Sequence, residues 1–195
     1  MDRKATLSSL PKRPWPFLVA KVFTLQILFY SMVKQGPIVD PLLLTAITIG
    51  LLLINFLVVR RLIQLKYYLI MMVLFYASGF IQDTILSYFH KIDFGSPTPP
   101  LYISCLWLLF LGYYGDVFRK MLDFPIWLSA LLGSAGGTLA YYRGFGSQAY
   151  SMSADFYPIV ATIWAVYMPC SLRLFRHFII LSQSQNPKQN SDLWR

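Results

Sequence analysis

The stretch 67–88, YYLIMMVLFYASGFIQDTILSY, decides the fold. At about 1.5 Å per residue it can cross roughly 30 Å of hydrocarbon as a helix. It holds no lysine or arginine, and Asp83 is its only charged residue. Outward from it the same pattern repeats in five more apolar stretches, at 17–33, 42–59, 100–118, 125–142 and 156–175. Short polar turns such as Lys34-Gln35-Gly36-Pro37 and Arg60-Arg61 separate them, and Asp93-Phe94-Gly95-Ser96-Pro97 breaks any helix between the third and fourth. The sequence therefore predicts an all-α, polytopic membrane bundle of six helices. Its parts are a basic tail over 1–16, a transmembrane domain over 17–177 and a polar, disordered tail over 178–195.

Composition agrees, with 56% hydrophobic, 17% aromatic and only 13% charged residues, and a mean hydropathy of +0.53. That is too apolar for a soluble domain of this size. The net charge of +9 does not point to nucleic acid, because the basic residues sit in tails and turns and form no stripe interleaved with stacking aromatics. They report topology instead. Of the 17 lysines and arginines, all but Lys34, Lys91 and Arg143 fall on one side of the six-span arrangement, which places both termini in the cytoplasm. Lys21, one turn inside the first stretch, is expected to snorkel to that interface. The first stretch reads as a retained helix, since no small-x-small site precedes its closing turn.

The third stretch carries the most informative side chain. Asp83 lies roughly 24 Å above Tyr67, still within hydrocarbon, where a carboxyl group needs a partner inside the bundle. Arg143, at a matching height of roughly 27 Å on the fifth stretch, is the expected ion-pair partner. Trp107 and Tyr141 fall near the same depth, and with Gln82, Tyr102, Ser104 and Tyr142 they outline an aromatic, polar pocket opening outward. Tyr102 and Tyr142 also suit an interfacial belt. The candidate ligand-binding set is Asp83, Trp107, Tyr141, Arg143 and Gln82.

On the fifth stretch Ser129, Gly133 and Gly137 recur every four residues with Gly136 beside them, a small-residue stripe expected to pack helix against helix. Pro169 is expected to kink the sixth helix. Asn55 and Asp116 are polar intruders near the cytoplasmic face. Cys105 and Cys170 read as buried thiols. His90 and His177 lack metal-site spacing, and no Ser-His-Asp set or paired aspartates occur, so no catalytic residue, metal or cofactor is assigned.

The order Gly79-Phe80-Ile81-Gln82-Asp83, Phe94, Pro100-Leu101-Tyr102, Leu106-Trp107-Leu108, Phe110, Gly133, Gly136-Gly137, Leu139-Ala140-Tyr141 and Gly144 resembles a bacterial family of small inner-membrane proteins catalogued as a domain of unknown function. The resemblance implies a six-helix, multi-pass protein of the inner membrane. Its genes' association with enzymes that modify fatty acyl chains implies a link to lipids. Where relatives carry Asn-His near the end of the fourth helix, this chain has Gly115-Asp116. The expected function is binding a lipid or supporting a lipid-modifying enzyme, alone or as a homodimer, with membrane lipids as partners and no nucleic acid. A small oligomeric secondary transporter and an intramembrane enzyme using Asp83 are the alternatives.

Overall fold

The computed structural model describes residues 15–35, 38–60, 63–118, 121–146 and 150–185. These residues form six helices: α1 (Trp15–Gln35), α2 (Pro41–Val59), α3 (Leu65–Tyr88), α4 (Leu101–Phe118), α5 (Ile126–Gly146) and α6 (Phe156–Ser184). Two short strands, β1 (Ile92–Asp93) and β2 (Ser151–Met152), join the α3–α4 and α5–α6 connections. By length and apolarity α3 and α6 could each cross a membrane, and α2 and α4 carry shorter apolar stretches, Pro41–Leu57 and Leu101–Phe110.

Local chemistry sets the helix starts. Asp40 caps α2 by accepting from the backbone N–H groups of Leu42 (2.9 Å) and Leu43 (3.0 Å), and Pro41 supplies a first-turn residue that needs no donor. Pro100 and Pro125 stand immediately before α4 and α5, and their carbonyls accept the first helical bonds. His90, in the left-handed region at φ 54°, turns the chain out of α3. β1 and β2 then pair antiparallel, Ile92 opposite Met152 and Asp93 opposite Ser151. The Lys91 ammonium meets Asp155 at 2.5 Å, closing this clasp. The bond from Lys91, reinforced by Ser153, holds the Asp155 carboxyl below its ordinary value.

α4 is the axis of the bundle. Tyr102 to Trp107 are all buried, as is Leu109, because α1, α2 and α3 each pack against it; a helix apolar all round belongs in an interior. α5 and α6 form the most extensive helix pair, and α6 also contacts α3. The outer surfaces of the helices are apolar: Phe23, Val73 and Trp127 are each about two-thirds exposed, at 65%, 65% and 67%. Polar groups lie inside, among them Lys21, Thr48, Asn55 and Asp83.

Several expectations change. Lys21 does not snorkel: it is 6% exposed and donates to the Asn55 side-chain carbonyl, while the Asn55 amide donates to the Gly112 carbonyl. Tyr68 donates to that same carbonyl at 2.9 Å. Satisfying these groups against one another removes the reason for the ammonium to seek the interface. α6 runs on to Ser184 rather than ending near Phe175, so residues 178–184 are helix and not tail. Phe178, Ile179 and Ser182 are buried, and the Gln64 backbone N–H and side chain donate to the Ser182 hydroxyl (2.7 Å) and carbonyl (3.0 Å). Pro169 lies buried within α6. Cys105 is buried but Cys170 is exposed. Most of the 1–16 tail, the Arg119-Lys120 turn, the Asp116 side chain and residues 186–195 lie outside the described residues.

Candidate functional site

Three helices converge on Asp83, which is 1% exposed. One carboxyl oxygen accepts from Trp107 Nε1 on α4 at 2.6 Å, and the other accepts from the Tyr141 hydroxyl on α5. Gln82 Nε2 donates to that hydroxyl at 2.9 Å. The Tyr150 hydroxyl donates to the Tyr141 carbonyl at 2.9 Å, and burial pushes the Tyr150 phenol up, which keeps it a donor.

Glycines make this convergence possible. A Cβ on Gly79, one turn before Asp83, would lie 2.0 Å from the Trp107 indole, and one on Gly137, one turn before Tyr141, would lie 2.2 Å from the Trp164 indole. The two indoles stack on each other, centroids 5.6 Å apart and planes 14° from parallel. The order across the bundle is therefore Gly79, Trp107, Trp164, Gly137, with a bare backbone on each side of the stacked pair. Gly133 continues the α5 seam, its absent Cβ replaced by Met168 and the Trp164 carbonyl. Gly144 leaves room for the Tyr150 hydroxyl.

Beside this layer lies a cavity of about 400 Å³ between α1, α4, α5 and α6. Asp83, Trp107, Tyr141, Trp164 and Met168 form its deep wall; Gln26 and Phe29 border it from α1, and Phe118 and Met121 lie toward its other end. Ile103 and Phe118 both line it, so it extends along roughly 22 Å of α4. Leu132, Gly136, Leu139 and Arg143 of α5 border it as well and are exposed, so the cavity opens sideways through the bundle surface. Trp164 Nε1 is buried there without a hydrogen-bond partner.

Of the sequence-derived candidates, Asp83, Gln82, Trp107 and Tyr141 share one hydrogen-bonded cluster. The expected Asp83–Arg143 ion pair does not form. Arg143 follows Tyr141 by two residues, about 200° around the helix, so when Tyr141 faces Asp83 the guanidinium faces away; it donates to Gln26 on α1 at the exposed rim of the cavity. Ser129, Gly133 and Gly137 are buried on the α5 face that meets α6. Gly136 is not on that face: nothing lies within 4 Å of its absent Cβ, and it borders the cavity. Tyr102 is buried and Tyr142 exposed.

Sequence reasoning missed Trp164, Gln26 and Tyr150. Trp164 carried a usable signal, since it stands roughly 12 Å into its helix, deeper than interfacial tryptophans sit. Chemically the arrangement lacks a nucleophile set beside a base, and among the described residues no group of three or more His, Cys, Asp or Glu could hold a metal ion. What it offers is a long apolar channel with one polar wall cluster and a cationic rim. No curated protein and no solved structure matches the chain. A family model described as "Protein of unknown function (DUF2878)" matches residues 9–170, and the chain belongs to that family.

Proposed function

We propose that the chain is a multi-pass membrane protein, both termini cytoplasmic, that holds the apolar chain of a lipid in the cavity between α1, α4, α5 and α6. The observation that carries this reading is the cavity itself. Its volume of about 400 Å³ falls within the roughly 300–1,000 Å³ of small-molecule sites, its lining is overwhelmingly apolar, and its mouth opens between helices whose own surfaces are apolar. Such a mouth would lie in the hydrocarbon layer, where lipid chains enter without crossing water. The inverted arrangement, with Lys21, Asn55 and Asp83 inside and Phe23, Val73 and Trp127 outside, supports the membrane placement.

The test is recovery of lipid with the purified chain. Wild-type protein should retain a discrete lipid class after detergent exchange, read by mass spectrometry of the extract, and Gly136→Leu should lose it. A Cβ at Gly136 meets nothing within 4 Å and the position borders the cavity, so a leucine there is expected to take up space that the lipid would occupy. Equal recovery from both proteins would refute the reading.

A further inference from the structure

We propose that the occupant is a single-chain amphiphile with an anionic head, seated with the head at the Arg143–Gln26 rim and the chain running past Trp107 and Trp164 toward Phe118. This rests on the reading of the cavity as a lipid site. Among the described residues the cavity is polarised along its length. Arg143 stands roughly 25 Å from the start of α5, and its guanidinium, bridged to Gln26, borders the space at that end, whereas Phe118 and Met121 border the other.

Among the described residues two charged groups line the cavity, and they are not equivalent. Asp83 is 1% exposed, and each of its oxygens already accepts a bond from Trp107 or Tyr141. Arg143, which donates to Gln26, is exposed at the mouth, so of these two groups the guanidinium is the one an arriving molecule meets. A guanidinium presents a planar fork of donors suited to a carboxylate or a phosphate. The shape bears on the rest of the molecule: about 400 Å³ drawn out along roughly 22 Å of helix is elongated, which suits an alkyl chain lying along the stacked indoles.

The experiment uses the full chain in nanodiscs of zwitterionic lipid, with Trp15, Trp127 and Trp194 replaced by phenylalanine so that Trp107 and Trp164 report alone. Chain-brominated palmitic acid and the matching brominated alcohol are titrated in, because bromine quenches indole emission on contact. The acid should quench saturably with an affinity roughly tenfold or more above that of the alcohol, the gap expected of a charge-assisted contact. Arg143→Gln should remove that gap, and Arg143→Lys should restore part of it. Gly136→Leu should abolish saturable quenching by both probes. Equal affinities for acid and alcohol, with Gly136→Leu still blocking both, would overturn the anionic-head assignment while leaving the lipid site intact. Quenching that never saturates, or that Gly136→Leu leaves unchanged, would overturn both.

Discussion

Replacing Gly137 with alanine places a methyl carbon 2.2 Å from Trp164 Cγ and 2.3 Å from Cδ2, whereas the same change at Gly136 meets nothing within 4 Å. Both substitutions gain the same helix propensity, about 1 kcal/mol, so the difference between the two variants isolates the packing. Overpacking a tight interface by a methyl group costs about 1–3 kcal/mol. The upper half of that range applies here, because the indole cannot slide away: it is stacked on Trp107, and Trp107 in turn lies against Gly79. At about 2–4 °C per kcal/mol for a chain of this size, Gly137→Ala should melt roughly 4–12 °C below Gly136→Ala. The assay is thermal unfolding of the purified chain in one detergent, followed by helical circular dichroism. A second arm adds Gly79→Ala, which presses on the same indole pair from the other side. The double variant Gly79→Ala/Gly137→Ala should depart from additivity by about 0.5–3 kcal/mol. If Gly137→Ala melts at or above Gly136→Ala, the close approach of α5 to α6 is not what sets this interface.

Three further outcomes are expected. Tyr141→Phe removes a donor to Asp83 and the acceptor of Gln82, and should lower stability by about 1–3 kcal/mol; an unchanged melting curve would show that the cluster contributes no net stability. Asn55→Leu takes away the acceptor that meets the buried Lys21 ammonium and should cost a similar amount, about 1–3 kcal/mol, measured in the same unfolding assay. The Lys91–Asp155 clasp should respond to acid. The Asp155 carboxyl is held below its ordinary 3.8 by the Lys91 bond, so its contribution is complete above that value and disappears as the pH falls through the lowered one. The protection of the Ile92 and Met152 amides against hydrogen exchange, taken relative to the intrinsic rate at each pH, should hold steady down to about pH 4 and fall below it, and Asp155→Asn should abolish that acid-dependent loss of protection.

How far the sequence reached depends on what each signal encodes. Hydropathy and proline encode where helices begin, and the starts at Pro41 and after Pro100 and Pro125 follow from them. They do not encode what happens where polar residues interrupt a helix that packs anyway. The serines, glutamines and asparagines after Phe178 made the end of α6 look like a tail, yet Phe178 packs against Tyr67, ring centroids 6.0 Å apart, and the helix runs seven residues past 177 to Ser184. Depth along a helix was legible from residue counts, which is why Asp83, Trp107 and Tyr141 were expected at one level. Azimuth was not: Arg143 shares that level but faces the rim, because two residues turn a helix by about 200°. Lys21 shows the same limit across elements. A lysine near a span end looks able to snorkel until Asn55 of α2 is known to lie beside it.

α5 presents two different faces, and the distinction matters for interpreting any loss of binding. Ser129, Gly133, Gly137, Tyr141 and Gly144 form the buried face, which clamps Trp164 and through it Trp107. Leu132, Gly136, Leu139 and Arg143 form the exposed border of the cavity. Since Trp107 and Trp164 are both held by the glycine clamp and exposed to the cavity, a bulky residue at Gly137 should move the deep wall of the cavity as well as the helix seam. Loss of lipid in such a variant would therefore not show that Gly137 touches lipid. Gly136, one residue and about 100° away, separates the two effects: a Cβ added there meets nothing within 4 Å. A variant there that keeps its melting temperature and loses its lipid would locate the occupant in the cavity, independently of how tightly α5 and α6 are packed.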